Sequence, residues 1–261
     1  MKNIAIVFIL GFLISSCGNN TEKSASKADN NSVESSTQTQ KVDSISCVVP
    51  SKLILTGKFN PSEVTGFVKV PELMSSKPIF IQTDVLSAFI KLREAAAKEN
   101  INLYIVSGTR TFNDQKAIWE RKWNSLITGN SDSLAVAREI LKFSSMPGTS
   151  RHHWGTDIDL VSVDPVYFES GDGDKMYKWL VTHAGEYGFC QVYSNKEESK
   201  RTGYSMEKWH WSFMPISSNY LKAYSEQINY SDMQGFVGDK LPARLRIKEE
   251  YVQGIDARCA N

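Results

Sequence analysis

Apolar and polar positions divide the chain into three stretches. Behind Lys2, Ile4 to Ile14 form one apolar run. From Gly18 to about Ser46 the sequence is Ser, Thr, Asn, Gln and Lys with almost no large apolar side chain. Such a stretch cannot bury enough surface to offset its ordering entropy and reads as a flexible tether. From Val48 onward, periodic patterns appear. Val85, Leu86, Phe89, Ile90 and Leu92 have mainly helical spacing, predicting a helix from Thr83 or Asp84 to about Asn100. Helices are also predicted from after Asn113 to about Ile127, over 134–143, over 175–187 with Gly188 as C-cap, and over 219–228. Short β-rich runs predict strands at 101–106, 157–161, 189–193 and 209–213. Beyond Asp232 Gly, Pro and charge mix without a period, and no element is predicted. Helices and strands interleave without a regular βαβ repeat. The expected class is therefore α+β, a small, mainly antiparallel sheet flanked by helices.

Composition adds limits. Of 261 residues 41% are hydrophobic and 23% charged, with a formal net charge of +1. This is the mix of a globular protein and gives no electrostatic footprint for nucleic acid. The opening apolar run is shorter than the ~20 residues a membrane-spanning helix needs. With Lys2 before it and Ser15-Ser16 after it, it reads as a secretory signal. Leu13-Ile14-Ser15-Ser16-Cys17 resembles a bacterial lipobox, which implies cleavage before Cys17 and acylation of its sulfur. The expected organisation is a lipoprotein signal peptide at 1–16, a tether at 17–46, a domain at 47–230 and a C-terminal tail at 231–261 packed on it. Cys47, Cys190 and Cys259 remain. A Cys47–Cys259 disulfide would tie the ends of the domain together and leave Cys190 as a small buried hydrophobe, though the sequence does not fix the pattern. The cysteine spacings match no zinc-thiolate site.

The chain has four histidines: His152, His153, His183 and His210. Two segments containing them are dense in chemically useful side chains, Ser150-Arg151-His152-His153-Trp154-Gly155-Thr156-Asp157-Ile158-Asp159 and Glu207-Lys208-Trp209-His210-Trp211. A catalytic zinc takes three imidazole or carboxylate ligands and keeps one position open, with a carboxylate beside the water. His152, Asp159 and His210 could be the ligands and Glu207 the base. Residues three apart in a strand face opposite sides. Glu207 is thus expected in a turn feeding a strand at His210, and a turn at Gly155 would bring His152 back toward Asp159.

The pattern Ser150-x-His152-x-x-Gly155-x-x-x-Asp159, followed by Glu207-x-Trp209-His210, resembles the paired signature of VanY-type D-alanyl-D-alanine carboxypeptidases. These are grouped with VanX-type dipeptidases in one zinc peptidase family. Ser107-Gly108-Thr109-Arg110-Thr111-Phe112-x-x-Gln115 is similar to a third block of that family, and all three occur in its order. The resemblance covers roughly residues 82 to 215. It implies a Hedgehog/DD-peptidase-like fold, Zn2+ on His152, Asp159 and His210, and Glu207 as general base. It places Arg110 over the scissile carbonyl or the substrate carboxylate, with Ser150 and Gln115 hydrogen-bonding substrate and Trp209 shaping the cleft wall. Three positions depart from the family: Asp157 where Ala is usual, Lys208 where Pro is usual, and Thr109 where Tyr is usual. None removes an implied ligand.

Plainer readings apply to neighbouring residues. His153 reads as a surface residue or an outer partner of a ligand, and His183 as a core histidine. Trp119, Trp123 and Trp179 read as core. Asp157 is balanced between a solvated strand start and a second carboxylate at the site. The resemblance implies hydrolysis of the C-terminal D-Ala-D-Ala amide of a peptidoglycan stem peptide by a monomeric enzyme. It would be anchored through Cys17, with no nucleic-acid partner, facing the periplasm from the outer membrane. The alternatives are a related L,D-carboxypeptidase, D,D-dipeptidase or crosslink endopeptidase, or a non-catalytic wall-binding lipoprotein.

Overall fold

The strand at Asp157–Leu160 organises the molecule through a simple alternation, with Ile158 and Leu160 on one face of the sheet and Asp157 and Asp159 on the other. The computed structural model describes residues 49–129 and 132–259. They fall within a compact unit, Cys47–Asn261. The signal peptide, the tether, Cys17 and Cys47 lie outside the described residues. No helix among the described residues is long and apolar enough to cross a membrane.

In chain order the elements are α1 (Lys52–Leu55), β1 (Phe67–Lys69), β2 (Phe80–Gln82), α2 (Thr83–Lys98), β3 (Ile105–Ser107), α3 (Phe112–Leu126), α4 (Ser133–Ile140) and β4 (Asp157–Leu160). They continue with α5 (Gly171–His183), β5 (Phe189–Cys190), α6 (Lys196–Ser199), β6 (His210–Phe213) and α7 (Met214–Gln227). β1 and β2 form an antiparallel pair, and the main sheet has the order β3-β4-β6-β5, antiparallel throughout. This is the expected α+β arrangement.

Two apolar clusters form the core. Ile158 and Leu160 of β4 and Trp211 and Phe213 of β6 pack with Val85, Phe89 and Leu92 of α2 and with Met176 and Leu180 of α5. The second cluster joins Trp119 and Trp123 of α3 to Ile140, Tyr193, Tyr204 and Tyr224. It also takes in the tail through Phe236, Leu241, Leu245, Ile247, Val252 and Ile255. The segment without a predicted element is thus a wall of the core, folded as turns with a short π-helix at Lys248–Val252 and a 3-10 turn at Ala257–Cys259.

The element ends differ from expectation for local reasons. β4 stops at Leu160 because Val161 takes a left-handed φ of 62°, so β3 pairs only from Ile105 and is shorter than 101–106. β5 leaves the sheet after Cys190, and the backbone carbonyls of Val192 and Tyr193 accept from Asp256 and Glu207 instead. α5 starts earlier, at Gly171, and α7 at Met214, where Pro215 occupies the first turn and needs no N–H partner there. Thr111 and Asp114 cap α3 reciprocally, which fixes its start directly after Arg110.

Three expectations are corrected. Cys190 is bonded to Cys259, because the tail returns to the edge of β5. His183 is not a core residue: α5 ends there, its side chain is 35% exposed, and it stacks on Trp179 and meets Glu186 at 3.2 Å. His153 is fully buried. Its Nδ1–H donates to the Arg110 carbonyl (2.7 Å) and its Nε2 accepts from the Gly148 N–H (3.0 Å).

Candidate metal centre

Directly opposed residues on antiparallel strands share a face. The β4–β6 register sets Asp159 opposite His210 and Asp157 opposite Ser212, so four polar side chains meet on the face away from Ile158 and Trp211. His152 joins them from a 3-10 turn at Arg151–Trp154. Ser150 caps this turn, its Oγ accepting from the His152 N–H, and Gly155 ends it at a φ of 68°. A Cβ on Gly155 would lie 2.5 Å from the Phe67 ring, so only glycine fits both the conformation and the space.

His152, Asp159 and His210 are buried, and one ligand atom from each lies within 4.8 Å of the others. Asp159 Oδ1 is 3.3 Å from His152 Nε2 and 3.1 Å from His210 Nδ1. The other nitrogen of each ring is held from outside. His152 Nδ1 is 2.8 Å from the Gly108 carbonyl, and His210 Nε2 is 2.9 Å from Asp157 Oδ2. The Gly108 carbonyl fixes the His152 proton on Nδ1, leaving a lone pair on Nε2. That atom is buried and has no hydrogen-bond partner. A buried acceptor facing a carboxylate is costly unless a cation lies between them. The donor set therefore fits a divalent metal, and two imidazoles with one carboxylate suit an open zinc site.

Glu207 sits in the turn before β6 with its Oε2 3.7 Å from His210 Nδ1. Its N–H donates to the Tyr193 carbonyl, and its carbonyl accepts from Gln191 Nε2 and the His210 N–H. Burial raises its carboxyl to about 7, with Asp159 adding to the rise and His210 and Arg110 opposing it. Burial works against protonation of His210, but Asp157 and Asp159 outweigh it and lift the ring to about 9. Burial lowers His152. It also pushes Asp159 up, yet the two histidines and Arg110 hold that carboxyl well below the usual range.

Arg110 follows β3 and points at the same cluster. It donates from Nε to Ser107 Oγ (3.0 Å), from Nη1 to Gln115 Oε1 (3.0 Å) and from Nη2 to Asp159 Oδ2 (2.9 Å). Gln115 is fully buried and its Nε2 donates to the Ser145 carbonyl. Ser150 is likewise buried. Both were expected at the substrate; within the protein Gln115 holds Arg110 and Ser150 caps the turn that carries His152. Trp209 packs between Phe143 and Phe168 in the core, not along an open wall. Asp157 is fully buried, not solvated.

Three residues at the site escaped sequence reasoning. Arg151 is buried beside Asp157, Ser212 lies opposite it, and the Tyr193 ring covers His210 at 4.6 Å. The alternation of Asp157 and Asp159 in a strand would have put Asp157 on the site face; nothing local signals Tyr193.

A family model described as VanY: D-alanyl-D-alanine carboxypeptidase matches residues 78–216, and the chain belongs to this family. A D-alanyl-D-alanine carboxypeptidase of Enterococcus faecalis (strain ATCC 700802 / V583) is 26% identical over 167 residues, 64% of this chain and 59% of that protein. The YodJ protein of Bacillus subtilis (strain 168) is 27% identical over 187 residues, 67% of this chain and 62% of that one. The chain thus spans about three fifths of the length of these curated relatives. Among solved structures, VanYB in complex with D-alanine-D-alanine is similar at a TM-score of 0.46 and 23% identity, covering 57% of this chain and 80% of that one.

Proposed function

We propose that this chain is a zinc-dependent carboxypeptidase that hydrolyses the C-terminal D-Ala-D-Ala amide of peptidoglycan stem peptides. The observation that carries the reading is the buried, unpartnered Nε2 of His152, facing Asp159 and His210 with Glu207 alongside. His152 through Nε2, His210 through Nδ1 and Asp159 through Oδ1 would hold the metal. Bound there, zinc supplies Lewis acidity to the carbonyl and lowers the pKa of water from 15.7 to about 7.

The remaining steps fall to the chain's own groups. Glu207 takes a proton from the attacking water, whose oxygen bonds to the carbonyl carbon. It then returns that proton to the leaving amine nitrogen as the C–N bond breaks. Glu207 is placed for this exchange beside the cluster, its Oε2 3.7 Å from His210 Nδ1. Arg110 lies at the edge of the cluster with its side chain 21% exposed. It faces the negative charge that develops on the carbonyl oxygen or the substrate's terminal carboxylate.

Export and lipidation at Cys17, with the domain facing the periplasm from the outer membrane, complete the proposal. The lipobox-like end of the apolar run supports it, and the Cys190–Cys259 disulfide suits an oxidising compartment. Mass spectrometry of the mature N-terminus tests this part; an unmodified Cys17 in membrane fractions overturns it.

The activity is tested by incubating the protein with a stem pentapeptide ending in D-Ala-D-Ala. Release of free D-alanine that stops with chelator and returns with zinc is expected. No release from pentapeptide, or release only from tetrapeptide or crosslinked stems, overturns the substrate assignment.

A further inference from the structure

Asp157 stands where the resembled family usually has alanine, and the protein builds a closed hydrogen-bond set around it. Its Oδ1 accepts from Thr156 Oγ1 (2.7 Å) and Ser212 Oγ (2.9 Å), and its Oδ2 from Arg151 Nε (2.9 Å) and His210 Nε2 (2.9 Å). A carboxylate offers about four acceptor positions, so none remains for a metal. The Arg151 side chain is completely buried, donates also to Ser212 Oγ, and lies over the Trp154 ring. The Asp157 charge is thus balanced inside the protein and its orientation is locked.

The consequence falls on His210, whose ring lies between two carboxylates, with Nδ1 on Asp159 and Nε2 on Asp157. The two carboxylates are not equivalent. Asp159 Oδ1 is shared with His152 Nε2, within the cluster that fits a cation. Asp157 is tied to Arg151 and cannot turn away. Nδ1 would be the nitrogen that faces a cation held by the cluster, while Nε2 keeps its hydrogen bond to Asp157. We propose that Asp157, braced by Arg151 and Ser212, is a positioning residue that commits His210 to bind metal through Nδ1 and tightens the site. Outer-sphere carboxylates of this kind fix the ring and raise its basicity as a ligand.

This inference rests on the zinc reading above, and its test separates the two. Zinc Kd is measured by chelator competition on the wild-type protein, on Asp157→Asn and on the double variant Asp157→Ala/Arg151→Met. The double variant removes both buried charges, so it avoids the unpaired guanidinium that could unfold Asp157→Ala alone. Kd is expected to rise roughly 10- to 100-fold in both variants. Nitrogen-15 NMR of the zinc-loaded wild type should show His210 protonated at Nε2 and metal-bound at Nδ1. Folded variants that bind zinc within about threefold of wild type, or His210 bound through Nε2, overturn the role of Asp157 while leaving zinc in place. A wild-type protein that binds no zinc overturns both.

Discussion

Arg110 Nη2 lies 2.9 Å from Asp159 Oδ2, while Asp159 Oδ1 faces both imidazoles of the cluster. One carboxylate therefore serves two neighbours, offering one oxygen to the metal position and the other to a guanidinium. The contact holds Arg110 at the cluster edge and leaves Asp159 a single oxygen for coordination. Arg110→Ala is expected to lower kcat by about 100-fold or more, the scale of losing one donor to developing negative charge. Zinc content should stay at one per chain. Steady-state kinetics with metal analysis checks this. Loss of zinc in parallel with activity would instead mean that Arg110 acts through Asp159 alone.

Gln115 is the support behind that arrangement. Its amide bridges Arg110 Nη1 and the Ser145 carbonyl, both at hydrogen-bond distance, within the protein. Gln115→Leu should preserve the packing volume and free the guanidinium to move. Misplacing a catalytic group by about 1 Å can cost up to 100-fold, so kcat should fall by about tenfold or more with little change in KM. A rise in KM at constant kcat would show that Gln115 acts on the substrate directly.

His153 makes the fold sensitive to acid. Its neutral ring is matched on both sides, with Nδ1–H toward the Arg110 carbonyl and Nε2 facing the Gly148 N–H. A second proton on Nε2 would meet a donor. Burial lowers this histidine to about 4 from an ordinary 6.5. Between those values the unfolded chain binds a proton that the native one refuses, so stability is present above pH 6.5 and drains away toward pH 4. At 1.36 kcal/mol per unit the group accounts for about 3 kcal/mol. Urea titrations at pH 7 and pH 5 should show His153→Gln losing less stability between the two than wild type does. Equal losses in both proteins would remove His153 from the account.

The metal cluster was legible chiefly because its two short segments resemble a zinc peptidase signature, and the turns that bring the ligands together are written locally. Gly155 reverses the chain between His152 and Asp159, and the Glu207–His210 spacing demands a bend before a strand. Both turns are present, at a φ of 68° for Gly155 and at Lys208–Trp209. Asp157 was harder to read because burial of a carboxylate depends on Arg151 and Ser212, and the second of these arrives from another strand. The tail was illegible for a related reason. Phe236, Leu241, Leu245, Ile247, Val252 and Ile255 fill separate gaps in one core without sharing a helix or strand face, so no period marks them. The partner of Cys190 then followed from where that aperiodic tail ends.

That partner gives the last prediction. Cys190 leaves the edge strand beside Ser212 of β6 and is bonded to Cys259 across a sequence separation of 69. Around it the Asp256 N–H donates to the Val192 carbonyl, and Asp256 accepts from Ser194 and Arg258. The tail is therefore held by hydrogen bonds as well as by the covalent link. In the chain-entropy model, closing a loop of this length stabilises by about 4 kcal/mol. Cys190→Ser/Cys259→Ser should lower the urea midpoint accordingly while zinc Kd in the folded protein stays within about twofold. Peptide mapping without reduction should recover Cys190 linked to Cys259. Recovery of Cys47 linked to Cys259 would show that the tail docks differently, and an unchanged urea midpoint would show that the hydrogen bonds alone hold it.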